Sequence, residues 1–342
     1  MAVRLKDIAE DLGVSLVTVS KVLRNKPGVG DVTRKRVLKR VRELNYRPNM
    51  LARSLASGKS YTVGLIVPDL VHTFFAELAK GVSAGLRGAS YQLLLASAEE
   101  EPELEQQEIE HLLARGVDAL LIASCQSNAG SFKSLLKSKI PYVLIDRYLP
   151  KIDGNFVGTD DVAAGRVATE HLINLGRKRI AHIGGEQIST SVGRLNGYKE
   201  ALAASNLPFR RELVEIRSRL EEAGVEIGSH AMTDLLKLKK RPDAVFCYND
   251  LTAVGAIRCL RANRLRVPED VAIIGCGNLR LSEYLEVPLS TIDQSTQQQG
   301  EEAAALALSL IDRKSKGKGK HLLLEPKLIA RDSTIGRPHH KL

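Results

Sequence analysis

Leu16, Val17, Thr18, Ser20 and Lys21 fall within six consecutive positions, and side chains of these types on one helix face suit duplex DNA. Apolar groups there would meet thymine methyls, and the lysine would reach guanine O6 and N7. Two roles are open to Leu16 and Val17 from spacing alone: base contact, or cover over a small core. Thr18, Ser20 and Thr33 carry hydroxyls suited to phosphate oxygens, contacts that fix register rather than sequence.

A second group of chemically able residues follows short apolar runs further along: Asp69, Phe74, Phe75, Asp146, Arg147, Asp160, Thr190, Arg194, Asn249, Asp250, Asn278 and Gln294. Carboxylates, amides and guanidinium groups can bind hydroxyls in pairs while an aromatic ring covers a C–H face, so the set suits a small sugar-like effector. Asp160 and Asp250 have a second role open to them, as caps of the helices that follow. No catalytic pattern accompanies these residues. Gly184-Gly185 and Gly275-Cys276-Gly277 complete neither a dinucleotide nor a P-loop fingerprint, and no GxSxG or HExxH is present. His111, His171, His182 and His230 are scattered. Cys125, Cys247, Cys259 and Cys276 form no CxxC pair, so neither zinc nor any other cofactor is expected. The expectation is a binder rather than an enzyme.

The elements that must position the first group are legible from periodicity. Leu5, Ile8, Ala9 and Leu12 form one face of a short helix. Gly13 follows where a left-handed residue ends a helix, and Ser15 sits where an N-cap belongs. A second helix is expected from Leu16 to about Leu23, with Val19, Val22 and Leu23 inward. Val37, Val41 and Leu44 mark a third. Two short helices around a Gly-containing turn make a helix-turn-helix, whose second helix enters the major groove. Charge agrees: the first 60 residues carry 14 Lys and Arg against five Asp and Glu, so they hold nine of the chain's ten net positive charges. A basic block on a neutral body points to a polyanion partner.

The rest of the 342 residues alternates apolar runs with amphipathic stretches. YTVGLIV, YQLLLAS, VDALLIA and PYVLID read as strands, with helices near 74–88, 102–115 and 130–138. RIAHIGG, LVEIRS, DAVFCY and VAIIGC form a second series. Such alternation implies α/β lobes with parallel sheets, and ligands bind at strand carboxyl ends. No apolar run reaches the roughly 20 residues a membrane span needs, and the first residues lack a signal-peptide core, so a cytoplasmic protein is expected.

LKDIAEDLGVSLVTVSKVL, then PGVGDVTRKRVLKRVRELNYRPNMLARSLASGKSYTVGLIVP, resembles the LacI/GalR family of repressors almost position by position, and weaker matches continue to LIARDSTIGRP. By that resemblance Leu16, Val17 and Lys21 occupy sequence-reading positions, and Thr18, Ser20, Thr33, Tyr46 and Asn49 occupy backbone-contact positions. Arg24 departs from the family's frequent Asn and adds a charge near the DNA backbone. Residues 47–59 resemble the family's hinge, too short to be helical alone. Leu55 matches the leucine that wedges into the minor groove at the operator centre.

The resemblance further implies a two-lobed core like periplasmic sugar-binding proteins, crossed three times by the chain. The crossings are expected near 159–161, 289–292 and 320–323, with the basic stretch 314–320 as a connection between lobes. The layout is then a headpiece over 1–46, the hinge over 47–59, and a core over 60–336. Its first lobe covers about 60–159 and 292–320, its second about 161–289 and 321–336. Arg194, Asn249 and Gln294 match common effector-contact positions. Gly277 stands where the family usually has an acid, and Asn278 or Arg147 is the candidate to compensate. The chain lacks Trp, so stacking falls to Phe74, Phe75, Tyr148 or Tyr248. The expected partners are double-stranded operator DNA, a sugar-like effector and a second copy of the chain, with no membrane.

Overall fold

The computed structural model describes residues 3–23, 26–46, 54, 57–126, 132–149, 152, 154–185, 188–218, 223–312 and 319–336. The chain divides into two compact units, Met1–Ser60 and Tyr61–Leu342.

In the first unit, α1 (Leu5–Leu12) ends at Gly13, whose φ of 62° is the left-handed turn that glycine tolerates best. The Ser15 hydroxyl then accepts from the Thr18 amide at 3.1 Å, satisfying an orphan donor at the start of α2 (Leu16–Leu23). The third helix, α3, covers Asp31–Glu43. Ile8, Ala9, Val19, Val22 and Val37 are buried together, with Leu5, Leu12, Leu23, Val41 and Leu44 packed around them. Arg40 on α3 donates to the Asp11 carboxylate at the end of α1, closing the three-helix unit. Near its end, the Gly58 amide bonds to the Ser54 carbonyl at 2.8 Å.

The second unit holds two parallel sheets. The first has six strands in the order β11-β5-β4-β3-β1-β2: β1 (Thr62–Val67), β2 (Gln92–Ser97), β3 (Ala119–Ile122), β4 (Tyr142–Ile145), β5 (Asn155–Thr159) and β11 (His321–Leu324). Alternation along β1 sends Val63, Leu65 and Val67 to one face and Ile66 to the other. The first face packs on α4 (Thr73–Arg87) and α11 (Thr296–Asp312), the second on α5 (Pro102–Ala114) and α6 (Lys133–Ser138).

The second sheet runs β7-β6-β8-β9, from β6 (Ile180–Gly185), β7 (Val214–Arg217), β8 (Ala244–Cys247) and β9 (Ala272–Ile274). It is covered on one side by α7 (Asp161–Asn174) and α8 (Ser189–Ala204), on the other by α9 (Gly224–Leu236) and α10 (Asp250–Ala262). Helix pairs approach closely through glycine. An added Cβ at Gly197 would overlap the Val162 carbonyl, one at Gly255 the Val225 carbonyl, and one at Gly81 the Gln297 carbonyl.

Two of the expected crossings move. β10 (Thr291–Asp293) pairs antiparallel with β12 (Lys327–Ile329), and Ser290 bridges Ile274 of the second sheet, so the chain leaves the second lobe after Asp293 rather than within 289–292. The expected third crossing at 320–323 is corrected to 325–326, because His321–Leu324 pair in parallel with β5 in the first sheet. Residues 321–324 therefore belong to the first lobe, as does α11; of the stretch 314–320, residues 314–318 lie outside the described residues. The reason is geometric: a parallel edge strand needs a long crossover, which α11 supplies. No helix of the described residues is long and apolar enough to cross a membrane.

Candidate nucleic-acid interface and ligand cleft

On α2 the buried side chains are Val19 and Val22, which leaves Leu16 and Val17 outward, 48% and 60% exposed. They do not cover the core of the unit, so its packing does not account for apolar residues at these positions. Thr18, Ser20 and Lys21 on α2 and Thr33 on α3 are half-buried. The Thr18 hydroxyl also contacts that of Ser15 at 2.9 Å. Tyr46 packs against the three-helix core, and burial raises its hydroxyl above the ordinary 10.0. Arg34 donates to the Lys26 carbonyl at 2.9 Å and Arg36 to the Leu12 carbonyl at 3.3 Å, which ties α3 to the segment after α2 and to the end of α1. Arg24, Asn49 and Leu55 lie outside the described residues.

In the core, Phe74, Phe75, Asp146, Arg194, Asn249 and Gln294 meet around one cavity, together with His72, Tyr248, Cys276 and Gly277. Most follow the carboxyl ends of β1, β4, β8, β9 and β10. Arg194 is the centre. Its Nε donates to Asp161 Oδ1 at 2.9 Å, its Nη1 to the Tyr248 carbonyl at 2.8 Å and its Nη2 to Gln294 Oε1 at 2.9 Å. Its guanidinium lies over the Tyr248 ring, 4.8 Å from the centroid. Burial works against its charge, but Cys276, Asp161, Tyr248 and Asp146 around it hold the guanidinium charged. Burial raises the Asp161 carboxyl, and Arg194 opposes that rise.

The other candidates divide. The Thr190 hydroxyl meets the Tyr248 hydroxyl at 3.0 Å behind the cavity. Arg147 lies over the Phe75 ring at 5.9 Å, donates to the Ser124 carbonyl at 3.4 Å and approaches Asp146 at 3.8 Å. Asn249 lines the cavity and also caps α10, its Oδ1 accepting from the Thr252 amide at 2.9 Å. Asp160 caps α7 by accepting from Ala163 and lines a neighbouring cavity.

Three placements correct the sequence reading. Asn278, in a left-handed turn with φ 47°, accepts from Arg331 through its amide oxygen at 2.8 Å and is not among the residues that line the cavity. Asp69 accepts from the Val71 amide at 2.9 Å in the loop after β1 and lines no described cavity. Asp250 is fully buried and accepts from the Leu279 amide and the Ser282 and Thr291 hydroxyls, holding the segment after β9 in place.

Sequence reasoning missed His72, Asp161 and Gln299. His72 Nδ1 accepts from the Phe74 amide, and its Nε2 lies 3.5 Å from Asn249 Nδ2. Gln299 donates to both the Thr159 hydroxyl and the Gln294 carbonyl at 2.9 Å, joining the first and second crossings. Asp161 is separated from Arg194 by 33 positions, so only the fold reveals the pair.

The cavity measures about 10 Å³, at the limit of what one water needs. Contacts between the lobes keep it small: the Tyr148 amide donates to Ser189 Oγ at 2.9 Å, and Arg280 meets Glu77 at 3.6 Å.

Comparison with known proteins follows the same division. Residues 4–49 match the model for bacterial regulatory proteins of the lacI family, and residues 169–334 match the periplasmic binding protein-like domain. The chain is 31% identical to the HTH-type transcriptional repressor CytR of Escherichia coli, covering 98% of both chains. It also resembles the transcriptional regulator CelR in its cellobiose complex, with 31% identity, a TM-score of 0.73, and coverage of 97% of this chain and 99% of that one. The lac repressor dimer bound to operator and the anti-inducer ONPF gives a TM-score of 0.84 at 25% identity, covering 98% and 99%.

Proposed function

The chain belongs to the LacI family of bacterial regulatory proteins, and from that premise we propose that it is a dimeric, operator-binding repressor controlled by a small sugar-like effector held between its lobes. The observation that carries the DNA reading is the outward pair Leu16 and Val17 on the second helix of a cationic helix-turn-helix. An exposed apolar pair at the start of such a helix is placed for thymine methyls, with Lys21 beside it for guanine. Thr18, Ser20, Thr33, Tyr46, Asn49 and Arg24 are assigned to the phosphate backbone, and Leu55 to the minor-groove wedge.

The effector reading rests on the cleft. Phe74, Phe75, Asp146, Arg147, Arg194, Asn249 and Gln294 offer an aromatic face and paired polar groups, the requirements of a polyhydroxyl ligand. The cellobiose bound to CelR and the operator bound to the lac repressor dimer support the same division of labour here. An effector that separates or re-angles the lobes shifts the hinge over 47–59, and with it the stability of the operator complex. Two chains set the spacing of two headpieces on a near-palindromic site. The protein acts in the cytoplasm as a binder, without turnover.

The test is selection of duplexes from a random pool by the full-length chain, followed by anisotropy titrations across salt. A selected site should bind with a steep negative salt slope, about −0.9 per phosphate neutralised. Failure to enrich any sequence, or a flat salt dependence, overturns the reading. A thermal-shift screen of sugars, sugar acids, phosphosugars and purines then identifies the effector by stabilisation of the core.

A further inference from the structure

Beside the Arg194 cluster lies a second, much larger cavity of about 410 Å³, within the range that takes a small ligand. Its walls come from both lobes. Tyr148 follows β4, Val192 sits on α8 and Leu323 on β11, and these apolar side chains are 41%, 44% and 55% exposed. A single exposed apolar side chain needs no explanation, but three from separate elements converging on one concavity do. The Phe156 ring, 5.4 Å from that of Tyr148 and tilted by 60°, backs this aromatic wall. A wall of that kind matches the C–H face of a sugar or the plane of a base.

The polar side of the cavity is acidic. Asp160 and Asp161 line it, and none of the described lining residues is Lys, Arg or His. The Asp161–Arg194 pair, at 2.9 Å, stands between this space and the smaller one: Asp161 lines this one and the buried Arg194 guanidinium the other. An anion entering here would meet the Asp160 carboxylate with no cation on the described lining to offset it, the Asp161 charge being already paired with Arg194.

We propose that this cavity is a second ligand compartment, taking an uncharged or amine-bearing ring of monosaccharide or nucleoside size and rejecting phosphorylated or carboxylated ones. Thr159 and Asp160 lie at the first crossing, and Leu323 immediately precedes the end of β11, ahead of the third. An occupant therefore touches the first of the three connections that set the lobe angle, and the strand that leads into the third. Its effect on DNA rests on the repressor reading; its existence does not.

The chain has no tryptophan, so Leu323→Trp in the full-length protein places a single tryptophan, excited selectively over the tyrosines, on the rim. Titration with methyl β-glucopyranoside, glucosamine, cytidine and adenosine is compared with glucose 6-phosphate, glucuronate and AMP, while operator binding is followed in parallel. At least one uncharged or amine-bearing probe should change the emission saturably, with the matching anion about tenfold weaker or worse. Adding Val192→Lys, which fills the space and leaves an unchanged melting profile, should abolish that response. Silence across the uncharged and amine-bearing probes, equal binding of the anions, or a response that survives Val192→Lys overturns the proposal. An emission change without any change in operator affinity supports the compartment and counts only against its regulatory consequence. A change in operator affinity with silent emission overturns the compartment and leaves the repressor reading standing.

Discussion

Arg194, on the first helical turns of α8 in the second lobe, donates through Nη2 to the amide oxygen of Gln294, on the second crossing between lobes, at 2.9 Å. The same guanidinium holds Asp161, immediately after the first crossing, and the Tyr248 carbonyl after β8. One side chain thus ties two of the three lobe connections to the strand end where a ligand would sit. Gln299 adds a second tie from α11, through Thr159 and Gln294. If the proposed effector binds at this cluster, ligand contact and lobe angle become properties of the same atoms, which is what coupling between an effector site and another site requires.

Arg194→Leu should destabilise the core by about 3–5 kcal/mol, because it strands the buried Asp161 carboxylate without its partner. Adding Asp161→Asn should recover at least about 1 kcal/mol of that loss, since a neutral amide is cheaper to bury than a charge. Urea unfolding of the wild type, both single variants and the double variant measures the coupling. Strict additivity would mean that the pair does not hold the cleft together.

The elements of the headpiece were legible in the sequence because each helix is short, with its apolar spacing and terminating residue within a few positions of one another, as with Leu5 to Gly13 and Ser15 to Leu23. The two series of strands were legible for the same reason. The short strands β10, β11 and β12 were not: Thr291–Asp293 and Lys327–Ile329 are three residues each and His321–Leu324 four, too short for a period to declare itself, and this misplaced two crossings. In the cleft, residues directly after strands were found where the strand end points at the cavity, as for Asp146 and Asn249. Asp69 and Asn278 also follow strands, but local turns direct them to Val71 and Arg331. His72, Asp161 and Gln299 depend on contacts across many residues, which spacing does not encode.

His182 is fully buried, its ring stacked between Tyr198 at 5.5 Å and Phe246 at 4.9 Å. Burial lowers it from 6.5 to about 4. The unfolded chain binds a proton below pH 6.5 that the native state refuses until about pH 4, so this residue stabilises the fold above 6.5 and that contribution is lost as pH falls through the window. The full effect is about 3 kcal/mol. The buried carboxyls of Glu105 and Asp250, both raised by burial, favour protonation in the native state and give the opposite slope. The informative quantity is therefore the difference between wild type and His182→Phe. The variant leaves the Phe246 carbonyl without its 3.0 Å donor but should lose less stability than the wild type on going from pH 7 to pH 4.5. Parallel melting curves at every pH would rule out a buried neutral imidazole.

Gly255 faces the Val225 carbonyl on α9 so closely that a Cβ would overlap it, whereas an added Cβ at Gly116, after α5, meets nothing within 4 Å. Gly255→Ala should force α9 and α10 apart and cost about 1–3 kcal/mol or more. Gly116, at φ 69°, should instead show only the smaller backbone penalty of placing alanine in a left-handed turn. Thermal unfolding of the two variants separates helix approach from backbone strain. Equal losses would show that the glycine contacts between helices carry no packing role.

Because Leu16 and Val17 are 48% and 60% exposed and contribute little to the headpiece core, replacing either with alanine should change stability by no more than about 0.5 kcal/mol. If they read thymine methyls, specific affinity for a selected site should fall by about 1–2 kcal/mol each, up to roughly thirtyfold. Affinity for unrelated duplex, which depends on phosphate neutralisation, should hold, and the salt slope should stay the same. Lys21→Ala should also relax preference at one base pair, whereas a variant that removes only a phosphate contact, such as Thr33→Ala, should weaken selected and unrelated duplexes alike. Anisotropy titrations of both DNA types at several salt concentrations distinguish these patterns. Equal losses on selected and unrelated DNA for Val17→Ala would place the exposed pair outside the base edges, and the reading surface would then have to lie on another part of the headpiece.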